Sequence, residues 1–155
     1  MVIYNVRIPN LTPSALNTGL FCLVGSIVKS VLILEIEIEG AATISAAAEF
    51  AFGTPSSGSA GGGVLTSVPV DNIASSASSP AYLSPTGLSF TPFTTYHSFG
   101  INANGQRYFW RAMPNLLNAI TIGTNGGASA TMALVMLSGT PSLCPIEGRI
   151  QFAEI

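Results

Sequence analysis

Glu35, Glu37 and Glu39 stand two positions apart in the run LILEIEIEG and supply three of the chain's seven acidic residues. Side chains alternate faces along a strand, so the three carboxylates share one side and Leu32, Leu34, Ile36 and Ile38 share the other. Glycoside hydrolysis uses two carboxyls about 5–5.5 Å apart for retention or about 6.5–9.5 Å apart for inversion, and same-face neighbours on a strand fall near that range. Three like charges in a row repel when buried, and nothing beside them in sequence supplies a sugar-stacking ring or an apolar pocket that would hold one protonated. The run therefore reads as the wet side of a strand whose charges discourage stray pairing, with Arg107 and Arg111 as partners across the sheet. A calcium site is a third reading. It needs six to eight oxygens and would draw on loop carbonyls or on Glu49.

The other reactive types are scattered. His97 is the single histidine and Asp71 the single aspartate, so a Ser-His-Asp triad could be assembled in one way. No GxSxG elbow accompanies it, and His97 lies in the aromatic run FTPFTTYHSFG, where a packed ring is expected. One histidine without a cysteine cluster makes no zinc site. Cys22 and Cys144 stand far apart with no CxxC pattern and are expected as two buried thiols rather than a disulfide. GQRYFWRAMP, residues 105–114, holds the only tryptophan and two of the four arginines. Alternation puts Arg107, Phe109 and Arg111 on one face and Tyr108, Trp110 and Ala112 on the other. Arginine and tryptophan are enriched at interface hot spots, so this strand, with Tyr82, is the candidate docking surface. The competing reading is an aromatic core strand whose arginines pair with Glu35, Glu37 and Glu39. TIGTNGGASAT carries an Asn-Gly-Gly hairpin signal and matches neither phosphate-loop pattern.

The elements that must position these residues are strands. Helical periodicity is nearly absent, and short Val, Ile, Leu, Phe and Thr runs recur between Gly, Pro, Ser and Asn clusters. Strands are predicted over 2–8, 20–28, 31–39, 42–52, 64–70, 93–101, 106–113, 117–123, 129–137 and 146–154, with a short helix as the alternative for ISAAAEFAF. Residues 53–63 (GTPSSGSAGGG) and the Ser/Pro-rich stretch 71–92 read as long loops, which in a sandwich collect at the ends. The 155 residues suffice for a single domain with its own core.

Composition bounds the function. Charged residues make up 8% of the chain, against about 25% in an average soluble protein. A surface so poor in charge is expected to be covered by copies or partners. A net charge of −2 provides no basic field for nucleic acid. The longest apolar stretch is interrupted by Gly25, Ser26, Lys29 and Ser30, so no membrane span is expected, and MVIYNVRIPNLTP lacks the form of a signal peptide.

The order of segments resembles a known class of proteins. TGLFCLVGSIVKSVLILEIEIEG precedes EFAFGTPSSGSAGGGVLTSVPVDN; a Ser/Pro-rich connector, RYFWRAMPN, LLNAITIGTNGGASATMALVMLSG and a closing GRIQFAEI follow. This layout is similar to that of small virion proteins of tailed bacteriophages, the capsid decoration or head-stabilising proteins. The resemblance implies an all-β, jelly-roll-like β-sandwich, a homotrimer or homodimer bound to the major capsid protein on the capsid exterior, made in the host cytoplasm, with no enzymatic activity and no cofactor. It also implies docking through loops and arms, here residues 1–19, 53–63 and 71–92. Two rivals stay open: a host-glycan module of a head fibre or tail appendage, stacking sugar on Trp110, Tyr108, Tyr82 or Tyr96, and a minor capsid or tail protein. A glycosidase built on Glu35, Glu37 or Glu39 is the enzymatic alternative.

Overall fold

The computed structural model describes residues 1–71, 73–113, 120–124 and 127–155. Within these, the chain is all-β, folded as a sandwich of two antiparallel sheets. Its strands are β1 (Val2–Leu11), β2 (Gly19–Val24), β3 (Val31–Ala41), β4 (Ala47–Thr54), β5 (Ser57–Leu65), β6 (Ser67–Pro69), β7 (Ala81–Ser89), β8 (Thr94–Asn102), β9 (Asn104–Arg111), β10 (Ile120–Ile122), β11 (Thr131–Ser138) and β12 (Ile146–Glu154). The first sheet runs β6-β1-β12-β3, with β9 and β10 sharing the last edge of β3; the second runs β5-β7-β2-β11-β4-β8.

Eight of these strands form the body, as β1-β12-β3-β9 and β2-β11-β4-β8. The chain crosses between sheets at each step along them except from β4 to β8, which pair side by side. The stretch between β4 and β8 is an insertion that travels to the opposite edge, where β6 extends the first sheet and β7 and β5 extend the second.

Apolar residues at alternate positions of both sheets meet in one core, with Tyr4, Phe21, Phe50, Phe52 and Phe152 fully buried. Each such ring contributes roughly 1.5–3 kcal/mol by burial alone. In β3 the alternation breaks. Glu35 stands opposite Gln151 and Ile33 opposite Phe152, so Leu34 is an extra residue on β3. This bulge shifts the phase by one: Val31 and Ile33 join Ile36 and Ile38 in the core, while Leu32 and Leu34 are only half-buried. The expectation that Leu32 and Leu34 share a face with Ile36 and Ile38 is corrected accordingly.

Of the two expected loops, the first is largely strand and the second is strand over Ala81–Ser89. Residues 53–63 end β4 and make most of β5, and 71–92 contains β7. Glycine and serine have low strand propensity, but pairing with β7 and β2 imposes the extended form regardless. The proposed arm 1–19 is instead β1 over residues 2–11, paired on both sides by β12 and β6. ISAAAEFAF enters a strand at Ala47 and forms no helix. Of the predicted strand 117–123 the structure describes 120–122 as β10; residues 117–119, and Asn125 and Gly126 of the expected turn, lie outside the described residues.

A short strap joins β7 to β8, which occupy different positions in the second sheet with β2, β11 and β4 between them. Phe90 and Phe93 pack with Cys22, Val24 and Ala133 in a second apolar cluster. Glycines make room for both rings: a methyl on Gly19 would lie 2.6 Å from Phe90, and one on Gly53 2.8 Å from Phe93 and 2.1 Å from the Thr94 carbonyl.

Candidate functional site

The strongest concentration of polar side chains lies on the outer face of the first sheet. Register places Arg111, Glu35 and Gln151 in one row, Phe109, Glu37 and Arg149 in the next, and Arg107, Glu39 and Glu147 in a third, with Arg7 opposite Arg149 on β1. Four glutamates and four arginines, eight of the chain's twelve charged residues, thus share this face. Its formal charge is zero.

The arginines bridge the rows diagonally. Arg107 reaches Glu37 and Glu39, both at 2.9 Å; Arg149 reaches Glu35 at 2.6 Å and Glu37 at 3.2 Å; Arg7 and Glu147 approach to 4.0 Å. Glu35 is the hub. Its Oε2 accepts from Arg111 Nε at 3.0 Å and Nη2 at 2.8 Å, and its Oε1 accepts from Arg149. Its side chain is 6% exposed, against 68% for Arg111 and 46% for Arg149. The cross-sheet pairing expected from sequence is therefore present. Charge-assisted bonds of this kind are individually modest at a surface, and a shared network is the condition under which they count.

This geometry serves catalysis poorly. A glycosidase needs one carboxyl free to hold a proton and aim it at the leaving oxygen, whereas Glu35 spends both oxygens on guanidinium donors. The depression beside the ladder, about 310 Å³ and lined by Arg7, Glu37, Glu39, Glu147, Gly148 and Arg149, is shallow and open. Glu49 lies on β4 of the other sheet, beyond reach of Glu35, Glu37 and Glu39, and no group of three or more metal-ligating side chains occurs among the described residues. His97 on β8 and Asp71 after β6 lie at opposite edges of the sandwich, so they make no triad. Asp71 instead accepts the Ile73 amide at 3.1 Å.

The aromatic candidates divide by face. Phe109, with Arg111 stacked 5.9 Å above its ring, is 53% exposed. Tyr108 and Trp110 turn inward against the core. The Tyr108 ring stacks on Phe99 at 3.9 Å and lies 5.5 Å from His97, and burial pushes its hydroxyl up to about 12. Tyr82 is half-buried on β7 over Cys22 and Val24; it lines an open depression of about 340 Å³ with Ile27, Val28 and Ser78. Tyr96 is exposed at the edge strand β8, its hydroxyl bonded to Thr54. Register thus joins Arg107, Phe109 and Arg111 into one surface and leaves Trp110 and Tyr82 elsewhere. Cys22 and Cys144 are free, buried thiols.

Glu154 is the polar residue that sequence reasoning missed. Its side chain is fully buried near the end of β12. Lys29 Nζ donates to it at 3.0 Å, the Ser78 and Ser79 amides each at 2.7 Å, and the Ser78 hydroxyl to both oxygens at 3.0 Å. Burial alone would raise its carboxyl, but the hydrogen bonds from Lys29, Ser79 and Ser78 outweigh that and hold it below the ordinary range. With Tyr4 Oη donating to the Ser75 carbonyl at 3.0 Å, this carboxylate fastens the Ser-rich connector to the end of the sandwich. An acid beside the apolar FA of GRIQFAEI was the available signal.

No protein-family model, curated protein or solved structure matches this chain.

Proposed function

We propose that this chain is a structural protein of a tailed-bacteriophage virion, a capsid decoration protein that self-associates and binds the major capsid protein on the outside of the assembled shell. The observation that carries the reading is the wrapped strand order, β1-β12-β3-β9 against β2-β11-β4-β8. That order fits a jelly roll, an architecture that viral capsid proteins use and that lectin domains share. Fold alone does not assign function; the surface supplies the rest of the support. Eight of twelve charges are consumed in one neutral ladder, so most of the remaining surface is uncharged. Exposed aliphatic side chains occur on the inserted segment, at Val64, Val68, Val70 and Ile73, and elsewhere, as at Ile27, Val28 and Ile44. A shell-clamping protein gains strength from many weak contacts repeated by symmetry, for which such a surface is suited.

The glycan-binding rival has less support, because Trp110 and Tyr108 turn their rings into the core. The deciding experiment is co-sedimentation of the purified protein with assembled shells, together with heat and low-salt challenge of shells with and without it. Binding together with added shell stability is expected. Absence of both would remove the reading.

A further inference from the structure

The sandwich ends in strand edges that differ in how they are protected. An unpaired edge offers a row of N–H and C=O groups to any other chain, and proteins usually blunt it with charge, proline, bulges or brevity. Three of the edges here carry such a device. β6 is three residues long and includes Pro69. β9 carries Arg107 and Arg111, and β10 beside it is again three residues. β5 is broken by register shifts between Gly58 and Gly61 and between Gly61 and Gly63, with positive φ at Gly58 and Gly62.

β8 has only one, a bulge near its start, where Phe52 faces His97 and Gly53 faces Thr95 so that Tyr96 is an extra residue. Its nine residues, TTYHSFGIN, contain no Asp, Glu, Lys, Arg or Pro. From His97 to Asn102 it pairs with β4 without interruption, and among the described residues no strand pairs with its other side. The direction of its backbone groups follows from one bond. The Asn102 amide donates away from β4, to Gln106 Oε1 at 2.6 Å. In an antiparallel ladder the outward residues alternate with those bonded to the partner strand, so Ser98 and Gly100 also point their N–H and C=O groups outward. Their side-chain positions are exposed, while Phe99 and Ile101 between and after them face the core.

We infer that β8 is a homotypic docking edge, which pairs antiparallel with β8 of a second copy about a two-fold axis at Phe99. In that register Ser98 and Gly100 exchange both backbone bonds with Gly100 and Ser98 of the second copy, about four hydrogen bonds in all. A backbone edge is complementary to its own rotated image, and the absence of charge along β8 means that nothing repels at close approach. The second sheet then runs continuously through both copies. This inference rests on the self-association half of the proposed function and is independent of shell binding.

The test measures native mass by light scattering and amide exchange over residues 94–102, for the full chain and for two variants. Ser98→Pro removes an outward donor without touching the β4 ladder. Gly100→Lys keeps the donors and adds a cation; a side chain at Gly100 meets nothing closer than the Ala48 carbonyl at 3.8 Å, so the fold tolerates it. The expected result is a salt-resistant dimer, twice the 15.9 kDa chain mass, with slow exchange at Ser98 and Gly100. Both variants should be folded monomers, with those amides exchanging at least tenfold faster in Gly100→Lys. A monomeric parent, a trimer (which a two-fold edge cannot close), or variants that stay dimeric would each overturn it. Val64→Lys on β5 is the control; dissociation by that change alone would also overturn it. Shell co-sedimentation of the monomeric variants then reports separately on the proposed function.

Discussion

Replacing Glu154 by Gln keeps the volume of the side chain and removes its charge. The carboxylate accepts two amide bonds of 2.7 Å, from Ser78 and Ser79, inside a fully buried position. Bonds to a charged acceptor contribute roughly 1.5–3 kcal/mol each and neutral ones roughly 0.5–1.5, so the substitution should cost about 1 kcal/mol per amide, or about 2–3 kcal/mol with the Ser78 hydroxyl included. Lys29 is 39% exposed and rehydrates when its partner is lost, so it is assigned no share. For a chain of this size that corresponds to a fall in Tm of about 4–12 °C. The dependence on pH has a definite sign. The carboxyl of Glu154 is lowered in the folded protein, so its contribution is complete above the unfolded carboxylate value, about 4.3, and disappears as pH falls through the lower folded value. Calorimetric melts should therefore show a constant gap between the parent and Glu154→Gln from pH 7 to about 5 and a closing gap below about 4. A Tm within 1–2 °C (roughly the scatter of such melts, well under one kcal/mol) at pH 7, or a gap unchanged at pH 3, would refute the assignment of Glu154 as the fastener.

Three further outcomes are expected. Glu35→Ala, which strips the hub from Arg111 and Arg149, should lower stability by about 1–2 kcal/mol in urea melts, less at high salt. Gly53→Ala should cost about 1–3 kcal/mol, because the new methyl meets the Thr94 carbonyl at 2.1 Å and must displace the strap; a neutral result would place the strap elsewhere. Cys22 is buried and its thiol is pushed up to about 12 by desolvation, so thiol reagents at pH 8 should label native protein slowly and both cysteines promptly in denaturant.

The sequence by itself determined the class of element and the faces of the strongest strands. β-Branched and aromatic runs bounded by turn residues admit little but strands, and in RYFWR the alternation separated Arg107, Phe109 and Arg111 from Tyr108 and Trp110; the structure then shows the second set packed against the core. It also foresaw the pairing of those arginines with Glu35, Glu37 and Glu39, since opposite charges on neighbouring strands attract whatever the order of the sheet. What only the tertiary structure decided was everything set by partners distant in the chain. SGSAGGGVL became β5 because β7 offers it a ladder, against its own propensity; Leu34 became a bulge because β12 supplies one residue where β3 has two; Glu154 became a buried anchor because Ser78 and Ser79 fold back onto it from 75 residues away or more. Local chemistry fixes which way a side chain points along a strand, but hydrogen-bond partners across a sheet are chosen by the packing of the whole chain, and no window of sequence contains them.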